Sequence, residues 1–288
     1  MLLLPFAPLL DERSRPTVPF EWAWSLHPSV LLGTGILGAL YFYGIGPWRR
    51  RRALPRAPAW KVASFCGAML VLLGSLNGPV HDLSDYYLFT AHMVQHLLLT
   101  LVFPPLLLAG TPGWLLQPLL RPPAVRWVAR VLTQPLMAAV LFSAAIIVWH
   151  LPPFYELMMR DHDVHIVTHL LFMATATLLW WPVMSPVPEL PRLGYGLGML
   201  YLFLVGIPMQ IVAAMISLAG GVLYPWYSAA PRTWGLSPLD DQQLGGLIMW
   251  VPANLYMFLA IGVLFFAWAK ESEREDRGER GTAVSGER

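Results

Sequence analysis

Seven apolar runs, at about 28–47, 62–80, 86–110, 135–153, 164–184, 195–219 and 244–269, alternate with short polar or proline-rich breaks along the chain. A bilayer core takes roughly 20 apolar residues in a helix, and each run is of that order. The breaks carry turn and charge signals such as "WRRRRALPRAP", "LPPFYELMMRDHD" and "SPVPELPRLG". The pattern predicts an all-α, polytopic membrane helix bundle of about seven transmembrane helices. It divides the chain into an extracytoplasmic segment 1–27, a transmembrane domain 28–269 and a charged tail 270–288. The third run contains "FPPLLLAGTPG", which predicts an end or a kink near Pro104. The stretch "PPAVRWVARVL" beyond it predicts a short helix lying on the inner surface, with Arg126 and Arg130 on one side. The opening "MLLLPFAPLL" is too short to span and has no basic leader, so it is not expected to be a cleaved signal. From Lys270 onward charge dominates and apolar residues are few, which predicts disorder.

Lysine and arginine give these spans a direction. Fifteen basic residues fall on the side of the odd-to-even connections and the tail; four (Arg13, Arg15, Arg160, Arg232) fall on the other. The N-terminus is therefore expected outside and the C-terminus in the cytoplasm, as in a multi-pass membrane protein. Composition agrees: 56% of the 288 residues are hydrophobic and only 12% charged, with a mean hydropathy of +0.54. Lipid is the expected surroundings, and nothing basic and exposed suggests nucleic acid. The single cysteine, Cys66, excludes an internal disulfide framework and any CxxC motif.

On this topology all eight histidines lie in the outer half. His27 precedes span one, and His81 closes span two. His92 and His96 open span three within "AHMVQHLLLTL", His150 ends span four, and His162, His165 and His169 open span five. Residues four apart share a helix face, so His92 with His96 and His165 with His169 form two stripes. They are expected at matching depths, roughly 10–15 Å below the outer helix ends. Asp85 sits seven residues before His92, on nearly the same line. If the two faces meet, four imidazoles converge inside the bundle, and imidazole is the commonest metal ligand among side chains. Singly, such histidines bridge helices or sit at an interface. Likewise, the acids Asp82, Asp85, Asp163, Asp240 and Asp241 read most simply as loop-end groups, the methionines as packing, and Gly245–Gly246 as close helix approach.

The residues between each pair, Met-Val-Gln and Ile-Val-Thr, offer no glutamate base, so a zinc-peptidase HExxH site is excluded. No glycine-rich phosphate loop or serine or cysteine nucleophile stands out, and no enzymatic activity is expected. Imidazole without thiolate suits copper. Haem is the alternative, since two histidines on facing helices can ligate iron axially. The inner halves of spans three and five, "LTLVFPP" and "LLFMATATLLWW", hold no ionisable residue, which argues against a transmembrane ion relay.

Three blocks in order, "FTAHMVQHLLLTLVFPPLLLAGTP", "HIVTHLLFMATATLLWWPVMSP" and "DQQLGGLIMWVPANLYMFLAIGVLFFAW", resemble the CtaG family of cytochrome c oxidase assembly factors, in its multispanning bacterial form. The resemblance covers about residues 28 to 270. It implies a role in maturing the oxidase through copper supply to its haem–copper centre. His92, His96, His165 and His169 are the positions it carries over, with Asp241, Gln242 and Gly245 in the last block. A single-span copper chaperone of the same name relies on cysteines, and Cys66 alone does not supply that mechanism.

The expectation is a copper-binding assembly factor with His92, His96, His165 and His169 as metal ligands. His81 and His150 are further candidates for exchange, and Asp85 and Asp163 for orienting imidazoles or attracting the cation. Its expected partners are cytochrome c oxidase subunits and an extracytoplasmic copper donor. A haem-binding membrane oxidoreductase and a ligand-free assembly scaffold are the competing readings.

Overall fold

The computed structural model describes Phe20, Trp22, residues 25–232 and residues 234–286, with side chains through Glu275. Most of the segment 1–27 thus lies outside the described residues. The chain is all-helical. Helix α1 covers Pro28–Arg51, α2 Ala59–Ser75, α3 Gly78–Tyr87 and α4 Phe89–Gly110. Then come α5 (Pro123–Leu132), α6 (Pro135–His150), α7 (Pro152–Arg160), α8 (His162–Met184), α9 (Tyr195–Ser217) and α10 (Pro238–Gly286). Among the described residues five helices are long and apolar enough to cross a membrane, and up to seven spans result if each bent pair counts as one.

The two bent pairs are α2 with α3, at 55°, and α5 with α6, at 66°. The second bend turns α5 away from the bundle. None of its residues is buried, as the arginine-bearing surface helix requires. The first bend alters the expected geometry more. Span two does not run straight to residue 80: α2 stops at Ser75 and Gly78 takes a positive φ of 64°. That backbone is open to glycine at little strain, and it folds α3 back toward the bundle.

Span three also starts later than its hydropathy suggests. Leu88 is extended (φ −131°, ψ 122°), so Tyr86 and Tyr87 belong to α3 and α4 begins at Phe89. Within α4 the chain widens into a π turn over Leu98–Val102. The cause is Pro104, which cannot donate to the carbonyl four residues back and would clash with it. That carbonyl is on Thr100, and Trp180 Nε1 of α8 donates to it at 3.1 Å. The kink near Pro104 is therefore a π turn, after which the helix continues to Gly110.

Helix α8 packs on α4 and α6, α10 packs on α4 and α9, and α2 packs on α4. Helix α4 is the hub, and its apolar residues join both main core clusters. By contrast α1 stands off: Tyr41 is the one buried residue of Pro28–Tyr43. Its hydroxyl donates to Gly110 O at 2.9 Å. Leucine and phenylalanine side chains of α9 and α10, such as Leu200, Phe258 and Phe266, face outward, as lipid-facing positions do. Helix α10 continues past residue 269 to Gly286; opposite charges three residues apart, as in Glu271/Arg274, favour helix there.

Candidate metal centre

The two histidine pairs occupy equivalent positions. His92 and His96 are three and seven residues beyond Phe89, the first residue of α4; His165 and His169 are three and seven beyond His162, the first of α8. At 1.5 Å per residue, both pairs lie roughly 5–10 Å inside their helix starts. The match in depth is as expected, but shallower, because α4 begins after the break at Leu88.

All four rings are buried, with His92 fully enclosed. Ring centroids are 4.2 Å apart within the α4 pair and 4.5 Å within the α8 pair. Across the interface His92 lies 5.9 Å from His165 and 6.1 Å from His169, and His96 lies 5.5 Å from His169. Imidazoles bound to one ion at metal–nitrogen distances of about 2 Å keep their centroids within roughly 6 Å of one another. The four rings are already gathered to that scale.

Helix α3 delivers the acid. Asp85 is fully buried in the π turn Leu83–Tyr87. It is there because α3 folds back, not because it shares a face with His92. Its Oδ1 is 3.4 Å from His165 Nε2 and its Oδ2 is 3.4 Å from His81 Nε2. His165 Nε2 and His169 Nε2 are 2.8 Å apart. Asp85, His165 and His169 each offer one ligand atom within 4.8 Å of the others, a spacing able to hold a metal ion.

Neighbouring polar groups orient these donors. The Gln95 amide donates to Ser75 O at 2.6 Å and faces His81 Nδ1 at 3.1 Å. A donor there leaves Nδ1 as acceptor, so the His81 proton sits on Nε2, toward Asp85. His150 is buried at the end of α6, and its Nδ1–H donates to Ile146 O at 2.7 Å. Its Nε2 lone pair is buried without a hydrogen-bond partner, 5.8 Å from His96 between ring centroids. An N–H on a backbone carbonyl with the other nitrogen free is the arrangement of a metal-ligating imidazole.

His96 is the least accounted for as a packed residue. Both ring nitrogens are buried and neither has a hydrogen-bond partner. Leaving such a group unsatisfied costs about 1–3 kcal/mol. His92 has the Ser84 carbonyl near one edge, yet neither of its nitrogens makes a well-formed hydrogen bond. Asp163, by contrast, is exposed in the first turn of α8. Its backbone N–H donates to the capping side chain of Asp161, and its carboxylate takes no part in the buried group.

An aromatic wall closes one side, and the histidine spacing gave no sign of it. Tyr227 donates to Ser84 O at 2.7 Å, and Tyr155 approaches the Tyr227 hydroxyl at 3.2 Å. Both rings edge against His92. Tyr224 donates to His150 O at 2.8 Å, and Trp226 Nε1 to Asp85 O at 2.8 Å. The signal available in sequence was the aromatic density of "LYPWYSAAP" in the connection between the last two spans.

The last block proves to be scaffolding for α4. Asp241 accepts from the backbone N–H of Phe89 and of Thr90, each at 3.0 Å. It thus caps the histidine helix from another helix. Gln242 accepts from Leu223 N at 2.6 Å, fixing the loop that carries the aromatic wall. A side chain at Gly245 would strike Phe89 and come within 3.3 Å of Met93 Cγ. Helices α10 and α4 touch there only because glycine stands at the crossing.

The segment that holds the histidine helices and the capping block matches a known family. The profile described as cytochrome c oxidase caa3 assembly factor matches residues 39–271. The chain belongs to that family. An uncharacterized protein of Mycobacterium bovis and one of Mycobacterium tuberculosis are each 28% identical over 274 residues, covering 86% of this chain and 40% of theirs. An uncharacterized protein of Mycobacterium leprae is 23% identical over 281 residues, covering 90% of this chain and 42% of its own. The chain thus spans 40–42% of the length of these curated relatives. No solved structure matches.

Proposed function

We propose that the protein assists cytochrome c oxidase assembly by holding copper in the histidine cluster and passing it to the oxidase. His96 is the observation that carries this reading: a membrane helix gains nothing by burying both nitrogens of an imidazole unpaired, and a metal would take the lone pair of one of them. His92, His96, His165 and His169 would be the principal ligands, with His150 and Asp85 at exchangeable positions. Imidazole and carboxylate donors without thiolate suit copper among the first-row metals. More donors than one ion needs, set just inside the helix starts, suit a cargo that must leave again.

Two further elements belong to the same reading. The lysine and arginine bias puts the N-terminus and the cluster on the outer side of a bacterial cytoplasmic membrane. The clients would be oxidase subunits, and an extracytoplasmic copper donor would load the site. Haem fits less well. Its macrocycle would have to displace Phe172 and Tyr155, both fully buried beside the rings.

The test is metal content by mass spectrometry together with an absorbance spectrum, on detergent-purified protein and on the His96→Ala/His169→Ala variant. Copper in the native protein, lost in the variant and without a Soret band, is the expected result. A Soret band lost in the variant would replace copper with haem. Neither ligand after loading with both would leave the assembly role without a bound metal.

A further inference from the structure

A centre this enclosed needs a way in. Tyr155, Tyr224, Trp226 and Tyr227 close one flank, and Phe172 packs 4.9 Å from the His96 ring. The opposite flank is different. There His165 and His169 form part of the wall of a cavity of about 550 Å³ between α1 and α8. Its wall is otherwise mostly apolar, with residues such as Val30, Leu37 and Met173, but His27, His81 and His162 also line it. His27 immediately precedes α1 and His162 is the first residue of α8, so both stand where their helices begin.

His27 is held against His81 by a dedicated set of bonds. Its backbone N–H donates to Asn77 Oδ1 at 2.8 Å, Gly78 N donates to Ser25 O at 2.7 Å, and Ser25 Oγ donates to Asp82 Oδ2 at 2.6 Å. The result is a ring centroid distance of 4.3 Å between His27 and His81. His27 Nδ1 is shielded and has no hydrogen-bond partner, although the residue as a whole is partly exposed. From His81 the donors continue inward: Nε2 to Asp85 at 3.4 Å, Asp85 to His165 at 3.4 Å, and His165 to His169 at 2.8 Å.

We propose that His27 and His81 form an outer copper-receiving site, which takes the ion at the cavity rim and hands it through Asp85 to the buried cluster. This rests on the copper reading of that cluster. Each step exchanges one nitrogen or oxygen ligand for another, with no change of oxidation state. At His81 the ion takes the Nδ1 lone pair from the Gln95 N–H, and the Nε2 proton stays toward Asp85. Two imidazoles bind a soft cuprous ion weakly enough to release it to the richer donor set inside. Helix α1 otherwise packs little, and the contacts of residues 25–27 serve to bring a ligand to the rim.

The test is the rate at which full-length protein in detergent takes up copper from the Cu(I) acetonitrile complex under anaerobic conditions. Timed quenching with a strong cuprous chelator scores protected metal. Against the native protein stand His27→Ala and His27→Phe, the latter keeping an aromatic ring beside His81 but no nitrogen. Both are expected to load at least about tenfold more slowly and to reach the native copper content in the end. Native rates in both variants, or rescue of the rate by phenylalanine, would overturn the receiving site while leaving the buried centre intact. A lower final content in both would also overturn it, since His27 would then support the fold of the centre rather than access to it. A native protein that protects no copper would remove the buried centre itself, and the receiving site with it.

Discussion

His165 Nε2 and His169 Nε2 stand 2.8 Å apart inside the bundle. Between neutral imidazoles this contact requires one ring to donate a proton and the other to accept it. Two imidazoles on a tetrahedral metal with bonds of about 2.0–2.1 Å have their nitrogens roughly 3.3 Å apart. A shift of about half an ångström and the loss of one shared proton from Nε2 therefore convert the hydrogen-bonded pair into a chelating pair. Replacing either histidine with alanine is expected to weaken copper binding by more than about 100-fold, beyond the range seen for outer partners. Asp163→Asn is expected to leave affinity within about twofold, because its carboxylate is exposed and outside the group. Chelator competition measures both; equal affinity in His169→Ala would remove this pair from the site.

Gln95 sets the state of a second imidazole without touching the presumed ion. One amide hydrogen reaches Ser75 O and the other His81 Nδ1, which directs the His81 N–H at Asp85. Gln95→Leu removes both donors at similar volume. His81 is then free to change tautomer and Asp85 loses one of its two imidazole neighbours as a fixed donor. Copper affinity is expected to drop about 10–100-fold with the copper stoichiometry retained at saturation. A Gln95→Leu protein with native affinity would reduce this network to packing.

Asp241 makes a separable claim, because it supports the helix and not the ligands. Asp241→Ala leaves the N–H groups of Phe89 and Thr90 without their carboxylate, and Arg232, 3.6 Å away, without its counter-charge. Loss of such a cap costs about 1–2 kcal/mol. A lower thermal midpoint is expected for the metal-free protein, followed by circular dichroism in detergent, with Asp241→Asn falling between. An unchanged midpoint would show that α4 holds its position by packing alone.

The seven runs were legible in hydropathy because lipid imposes a length and an apolar surface on each span. The paired histidines were legible because a four-residue spacing fixes a face. Asp85 was named from the sequence for the wrong geometric reason. It reaches the centre through the reversal at Gly78 and the extended Leu88, local conformations that a linear count along one helix cannot anticipate. Gly245 was legible as a point of close helix approach, whereas the capping by Asp241 and the hold of Gln242 on the loop join residues far apart in the chain and carry no local pattern. The tyrosine wall was illegible because it joins α7 to the loop before α10, a long-range packing event with no period of its own.

Trp180 and Pro104 offer a test of how α4 is shaped around His96. Proline leaves the Thr100 carbonyl without its helical donor, and Trp180 Nε1 supplies the missing hydrogen bond at 3.1 Å. Trp180→Phe keeps most of the ring's volume but leaves that buried carbonyl unpaired, which costs about 1–3 kcal/mol. Pro104→Ala restores an N–H able to close a regular turn onto the same carbonyl. The two changes together are therefore expected to be less destabilising than the sum of the single changes, with a coupling of about 1 kcal/mol. Closing the π turn also rewinds the helix beyond His96, so the double variant should recover stability without recovering native copper affinity. Thermal midpoints of the four proteins give the coupling, and chelator competition gives the affinity. Strict additivity would mean that the indole serves only as packing and that the π turn has another cause.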